Sequence, residues 1–112
     1  MLVLGIDPGT ATTGYGLVKD EKGREVLLAY GTIRTPAGMD MSLRLCKINR
    51  ELNLIIDKFK PDAVAIEELF YQKNSKTVIT VAQGRGVAMM TAANAGLPVA
   101  EYTPLQVKQA VV

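Results

Sequence analysis

The chain has no histidine and a single cysteine, Cys46. Ser-His and Cys-His catalysis are thereby excluded, as is zinc chemistry built on histidine and cysteine ligands. One cysteine makes no internal disulfide, so a reducing cytoplasm fits best. Cys46 itself reads as a small packed side chain beside a helical stripe. No apolar run approaches membrane-spanning length, so no membrane contact is expected, and the apolar start at Met1 reads as a strand rather than a signal peptide. Internal repeats, low-complexity stretches and linkers are also lacking. Net charge is only +2, which permits an anionic partner without arguing for one. With 48% apolar and 21% charged residues in 112, the composition is that of one globular domain, residues 1–112. Carboxylates are the strong ligands that remain, so any metal must be a hard ion such as Mg²⁺.

What is present is organised around the first nine residues. Residues 2–6 form a continuous apolar run with β-branched members, the pattern of a strand buried on both faces. The run ends at Asp7, and Pro8-Gly9 turns the chain away. A carboxylate there either caps its own turn or meets something positive. Residues 13–19 and 25–33 read as two more strands of an antiparallel meander, with Gly14 and Gly16 on one face inviting close approach. A helix follows over about 41–60. Its stripe is Met41, Leu45, Ile48, Leu52, Ile55 and Phe59, its N-cap Asp40 and its stop Pro61. Residues 62–67 are a short strand ending in Glu67. Residues 68–74 form a loop, and a helix over 75–95 carries Gly84, Ala88 and Ala92 four apart. Glycine in a helix interior costs about 1 kcal/mol against alanine, so that stripe predicts close packing on another helix. Residues 97–102 make a last strand, and Thr103-Pro104 opens a last helix over 105–112. The order β-β-β-α-β-α-β-α predicts an α/β domain with a mixed sheet.

The crossover into residues 62–67 makes that strand parallel to the first, the natural neighbour because both read as fully buried. Asp7 and Glu67 then share one edge of the sheet, at a strand spacing of about 4.8 Å. Two such carboxylates are tolerated chiefly with a cation between them or with one of them protonated. A divalent ion activating water at phosphorus follows. The alternative is that Glu67 and Glu68 simply leave the sheet into a solvated loop.

Gly5-Ile6-Asp7-Pro8-Gly9-Thr10 and Thr13-Gly14-Tyr15-Gly16 resemble the opening of the RuvC-type Holliday junction resolvases. The resemblance continues through residues 61–70, Lys73-Asn74, Gln83-Gly84-Arg85-Gly86-Val87-Ala88, Glu101-Tyr102-Thr103-Pro104 and Val107-Lys108-Gln109. It implies a ribonuclease H-like fold with a five-stranded mixed sheet, and a homodimeric, Mg²⁺-dependent endonuclease, with Mn²⁺ as a substitute. The substrate implied is a four-way DNA junction nicked symmetrically in recombination and repair, beside a branch-migration complex. Asp7 and Glu67 would be two of four acidic metal ligands and catalytic residues. Phe70 would contact bases at the crossover, Lys108 would assist DNA binding or the transition state, and the helix over 75–95 would lie at or near the dimer interface. The resemblance also implies a basic segment and a last helix with two more carboxylates beyond Val112. The chain is therefore expected to be the N-terminal two-thirds of a resolvase, inactive by itself.

Lys73, Lys76, Arg85 and Lys108 are candidates for a phosphate track, against the plain reading of solvated surface charges. Two other classes compete with the nuclease. An actin-like ATPase domain would use Asp7-Pro8-Gly9-Thr10 as a phosphate loop, but it needs a second such loop. A non-catalytic module that binds DNA junctions needs only the surface.

Overall fold

The computed structural model describes residues 1–9, 11–67 and 75–102. Strands β1 (Leu2–Asp7), β2 (Thr12–Glu21) and β3 (Arg24–Arg34) form the expected antiparallel meander. The hairpin between β2 and β3 is tighter than expected. Lys22 and Gly23 both take positive φ, 54° and 77°, the backbone hand that suits a two-residue hairpin. Asp20 and Glu21, expected in the turn, therefore stay in the ladder opposite Glu25 and Arg24.

Helix α1 spans Met41–Phe59. Asp40 occupies the cap position but makes no side-chain cap bond. The helix ends where Lys60 turns left-handed at φ 51° and donates its N–H to the Ile56 carbonyl at 2.8 Å, just before Pro61. Strand β4 (Ala63–Glu67), helix α2 (Ser75–Asn94) and strand β5 (Val99–Tyr102) complete the described elements. Gly96 at φ 76° closes α2, as expected of a glycine stop. The sheet order is β3-β2-β1-β4-β5, with β4 parallel to both β1 and β5. The five-stranded mixed sheet is thus as expected, while the loop over 68–74 and the last helix over 105–112 lie outside the described residues.

Alternation along the strands divides the sheet into two faces. Leu4, Ile6, Leu17, Ile33, Val64 and Ile66 point to one of them and share a core with Ile48, Leu52, Ile55 and Ile56 of α1 and Ala88 and Ala92 of α2. Both helices therefore cover the same face. Each fully buried leucine or isoleucine there contributes roughly 1.5–3 kcal/mol. Val3, Gly5 and Asp7 alternate to the opposite face. Cys46 departs from expectation: it is exposed, because one residue past Leu45 it has rotated off the stripe that faces the core.

One contact sets how β4 lies beside β1. The Asp62 N–H donates to the Leu2 carbonyl at 2.7 Å, and the Leu2 N–H donates back to the Asp62 carboxylate at 2.8 Å. The pair locks the parallel register at its entrance, Val3 opposite Ala63. Asp62→Ala should lower stability by about 1 kcal/mol, the net value of one such bond. A thermal melt measures it, and Asp62→Asn, which keeps the acceptor, should recover most of the loss.

Candidate active site

Ile6 and Ile66 are aligned partners, so Asp7 and Glu67 are the next residues on adjacent parallel strands. Both lie at the C-terminal ends of those strands and on the same face, the one away from the helices. Their backbones are about 4.8 Å apart by strand spacing. Asp7 is exposed and Glu67 half-buried. Across β1, Asp7 is opposite Gly14, which is opposite Thr32. A side chain at Gly14 would begin 3.7 Å from the Asp7 Cβ, so glycine keeps the flank of the carboxylate open. Carboxylate oxygens suit Mg²⁺ or Mn²⁺ and no soft metal. Among the described residues no group of three or more His, Cys, Asp or Glu is gathered for an ion; Asp7 and Glu67 are a pair.

The pair is braced from the helix side. A Cβ at Gly84 of α2 would sit 3.5 Å from the Gly9 carbonyl oxygen, so α2 rests against the turn that follows Asp7. A Cβ at Gly9 itself would overlap the Thr12 carbonyl, which leaves glycine as the residue that fits. One residue along α2, the Arg85 guanidinium pairs with Glu101 on β5 and also donates to the Met89 sulfur at 3.3 Å. Glu101 is in register with Ile66, so Arg85 anchors the strand that flanks β4. Thr91, buried beside Ala88 and Ala92, hydrogen-bonds Asn49 of α1 and the Val87 carbonyl, each at 2.7 Å. The small-residue stripe is therefore used inside the chain. Ala88 and Ala92 pack in the core with α1, and Gly84 meets a backbone turn rather than a helix. The packing of Ala88 and Ala92 with α1 is as the stripe predicts, and the contact of Gly84 with a turn is the departure.

Of the residues singled out in the sequence, the structure brings Asp7 and Glu67 together. Phe70, Lys73 and Lys108 lie outside the described residues, as do Glu68 and the side chain of Lys76. Arg85 is engaged by Glu101 rather than free for a phosphate. Sequence reasoning missed the two braces. Gly9 reads in the sequence only as a turn residue, although a Pro-Gly turn after a buried strand, with a glycine inside a later helix, is a signal of mutual close approach. The pairing of Arg85 with Glu101 has no local signature, since sixteen residues separate the partners.

A five-stranded mixed sheet with acidic residues at the ends of its two central parallel strands defines a ribonuclease H-like domain. The family described as crossover junction endodeoxyribonuclease RuvC matches residues 3–112, and the chain belongs to that family. It is 70% identical over 112 residues to the crossover junction endodeoxyribonuclease RuvC of Syntrophomonas wolfei subsp. wolfei, covering 100% of this chain and 65% of that relative. It thus spans just under two thirds of the relative's length. Among solved structures it is similar to T. thermophilus RuvC in complex with Holliday junction substrate, with a TM-score of 0.85, 32% identity, and 97% of this chain and 68% of that chain covered. The yeast mitochondrial Holliday junction resolvase shares the fold at TM-score 0.66 and 14% identity, over 97% of this chain and 52% of that one.

Proposed function

We propose that this chain supplies Asp7 and Glu67 to a metal-dependent endonuclease centre that nicks four-way DNA junctions. The observation that carries the reading is the placement of Asp7 and Glu67 one residue beyond the paired Ile6 and Ile66 on adjacent parallel strands. They would hold Mg²⁺, with Mn²⁺ as substitute, and the ion would supply charge stabilisation and an activated water at phosphorus. Gly14 keeps the approach to Asp7 open, and Gly9 with Gly84 fixes the turn behind it. The family membership and the junction in the T. thermophilus complex support the substrate class. We place the working protein in the cytoplasm, beside the machinery that migrates branches.

A homodimer is supported by the outer side of α2. Ile79 and Met90 are 59% and 48% exposed, and Ala82, Gly86 and Ala93 are exposed on the same side. Those positions follow helical spacing, an apolar strip suited to a second copy. Met90→Lys should shift sedimentation toward monomer without lowering the melting temperature by more than a degree or two.

Because the described carboxylates number a pair, a second reading keeps weight: a junction-binding module without its own cleavage. One experiment tests both. The chain is titrated with Mn²⁺, reading paramagnetic line broadening, and then incubated with a labelled four-way junction in Mg²⁺. Broadening centred on the amides of residues 7, 14 and 67, with junction binding, is expected, and nicking is expected to be slow. Broadening elsewhere would sink the site, and tight junction binding with no broadening would favour the module.

A further inference from the structure

We infer that Arg85 is a positioning residue for Glu67: through its pair with Glu101 it holds β5 in place, and β5 fixes where the Glu67 backbone leaves the sheet. The inference rests on the nuclease reading and extends it to how the spacing of the two carboxylates is set.

The register anchors the two carboxylates from opposite sides of the sheet. Asp7 is paired with Gly14 of β2. Glu67 is paired with Tyr102 of β5, whereas the pairing of β4 with β1 ends one residue earlier, at Ile6 and Ile66. The spacing between Asp7 and Glu67 therefore depends on both flanks. On the Asp7 flank, β2 has ten residues and pairs along its length with β3, and Gly84 rests against the turn at Gly9. On the Glu67 flank, β5 has four residues and is an edge strand of the described sheet. A short edge strand is among the first parts of a sheet to open.

Arg85 steadies that strand. Among the described residues, the side-chain link from β5 to a helix is the pair of Glu101 with Arg85. Glu101 is the partner of Ile66, one residue before Tyr102 pairs with Glu67. The guanidinium is itself fixed: the side chain is 17% exposed, and Nη1 donates to the Met89 sulfur one turn along α2 at 3.3 Å. Its Nε is buried without a hydrogen-bond partner among the described residues. An orphaned buried donor weakens a fold, and an ion pair withdrawn from water is often no better for stability than an apolar side chain of the same size. Stability thus accounts poorly for an arginine at this position, whereas a fixed link between α2 and β5 accounts for it. Adjacent residues of α2 then serve the two flanks, Gly84 for Asp7 and Arg85 for Glu67.

The test is Arg85→Met, which keeps an unbranched side chain beside Met89 and removes the charge. By charge alone, losing a cation near the site should tighten Mn²⁺ binding slightly. Positioning has the opposite sign. The Mn²⁺ affinity of the folded chain, read by line broadening, should fall about tenfold, the low end for losing an outer support of a metal site. Hydrogen exchange at the amides of residues 99–102 should quicken in metal-free protein, while the melting temperature stays within about two degrees of the parent. Arg85→Met/Glu101→Ala leaves net charge unchanged and should cost the same factor as Arg85→Met, because both break one link. Lys19→Met breaks the Lys19–Glu21 pair at the other end of β1 with the same loss of charge, and should change neither readout. If Arg85→Met binds Mn²⁺ as tightly as the parent or more tightly, Arg85 does not position Glu67 and the nuclease reading stands. Glu101→Ala, at a half-exposed side chain, breaks the link from the strand side; unchanged exchange at residues 99–102 there overturns the proposal even where Arg85→Met does not fold. If the parent binds no Mn²⁺, the nuclease reading falls and this inference with it.

Discussion

Asp7→Asn is expected to weaken Mg²⁺ binding by at least about tenfold while leaving the metal-free fold as stable as before, or slightly more so. The two effects have opposite signs because they come from the same charge. Without metal, Asp7 and Glu67 are neighbours at the ends of adjacent strands, one residue beyond the paired Ile6 and Ile66. At a separation of about 5 Å, mostly in water, their repulsion is on the order of 1 kcal/mol. Asparagine removes that repulsion and keeps the shape. With metal present, the same substitution removes one of the two carboxylates proposed as ligands, and affinity for a hard cation falls with ligand charge. In an assembled nuclease, losing several kcal/mol of charge stabilisation at phosphorus corresponds to a drop of about 10²–10³-fold or more in nicking rate. The measurements are a Mn²⁺ titration, a melt in chelator and a junction-nicking time course. A destabilised apo protein, or undiminished metal affinity, would remove Asp7 from the site.

The legible part of this fold was the part written in local periodicity. The run from Leu2 to Ile6, the meander and the α1 stripe each declare their geometry within a few residues. The pairing of two apolar strands then puts Asp7 beside Glu67 by connection rules alone. Boundaries were less legible, and Asp20 and Glu21 show why. Polar residues before a glycine read as a turn, yet a hairpin whose turn is Lys22-Gly23 leaves them free to continue pairing. Cys46 misled for a related reason. Its residue type favours burial, but on a helix a one-residue step turns it about 100° away from Leu45. Contacts between distant segments were invisible. Asp62 locking Leu2, Lys47 reaching the Arg34 carbonyl and Arg85 pairing with Glu101 all join residues whose proximity exists only once the sheet has formed. Gly84 stands out in the sequence as an anomaly within a helix, but its partner, the turn at Gly9, does not.

That contact carries the second large effect. Gly84→Leu is expected to destabilise the protein by about 1–3 kcal/mol, whereas Gly84→Ala should be neutral or stabilising by up to about 1 kcal/mol. The first carbon added at Gly84 would lie 3.5 Å from the Gly9 carbonyl, an ordinary contact, so alanine fits and recovers helix propensity. Leucine adds three more carbons between α2 and a turn that cannot retreat, since Gly9 already lies against the Thr12 carbonyl. Either α2 lifts from the core at Ala88, or the turn shifts and carries Asp7 with it. The second outcome makes the variant more than a packing lesion. Gly84→Leu should therefore bind Mn²⁺ more weakly even below its melting transition. Leu52→Ala provides the comparison. Its side chain is 0% exposed, and its loss should cost about 2–5 kcal/mol, yet it lies in the core behind the sheet and should leave the metal affinity of the folded protein unchanged. Melts and Mn²⁺ titrations on the three variants separate the cases. If Gly84→Leu loses stability but keeps full Mn²⁺ affinity, the brace behind Asp7 serves folding alone; if it melts like the parent, the close approach of α2 to Gly9 is wrong.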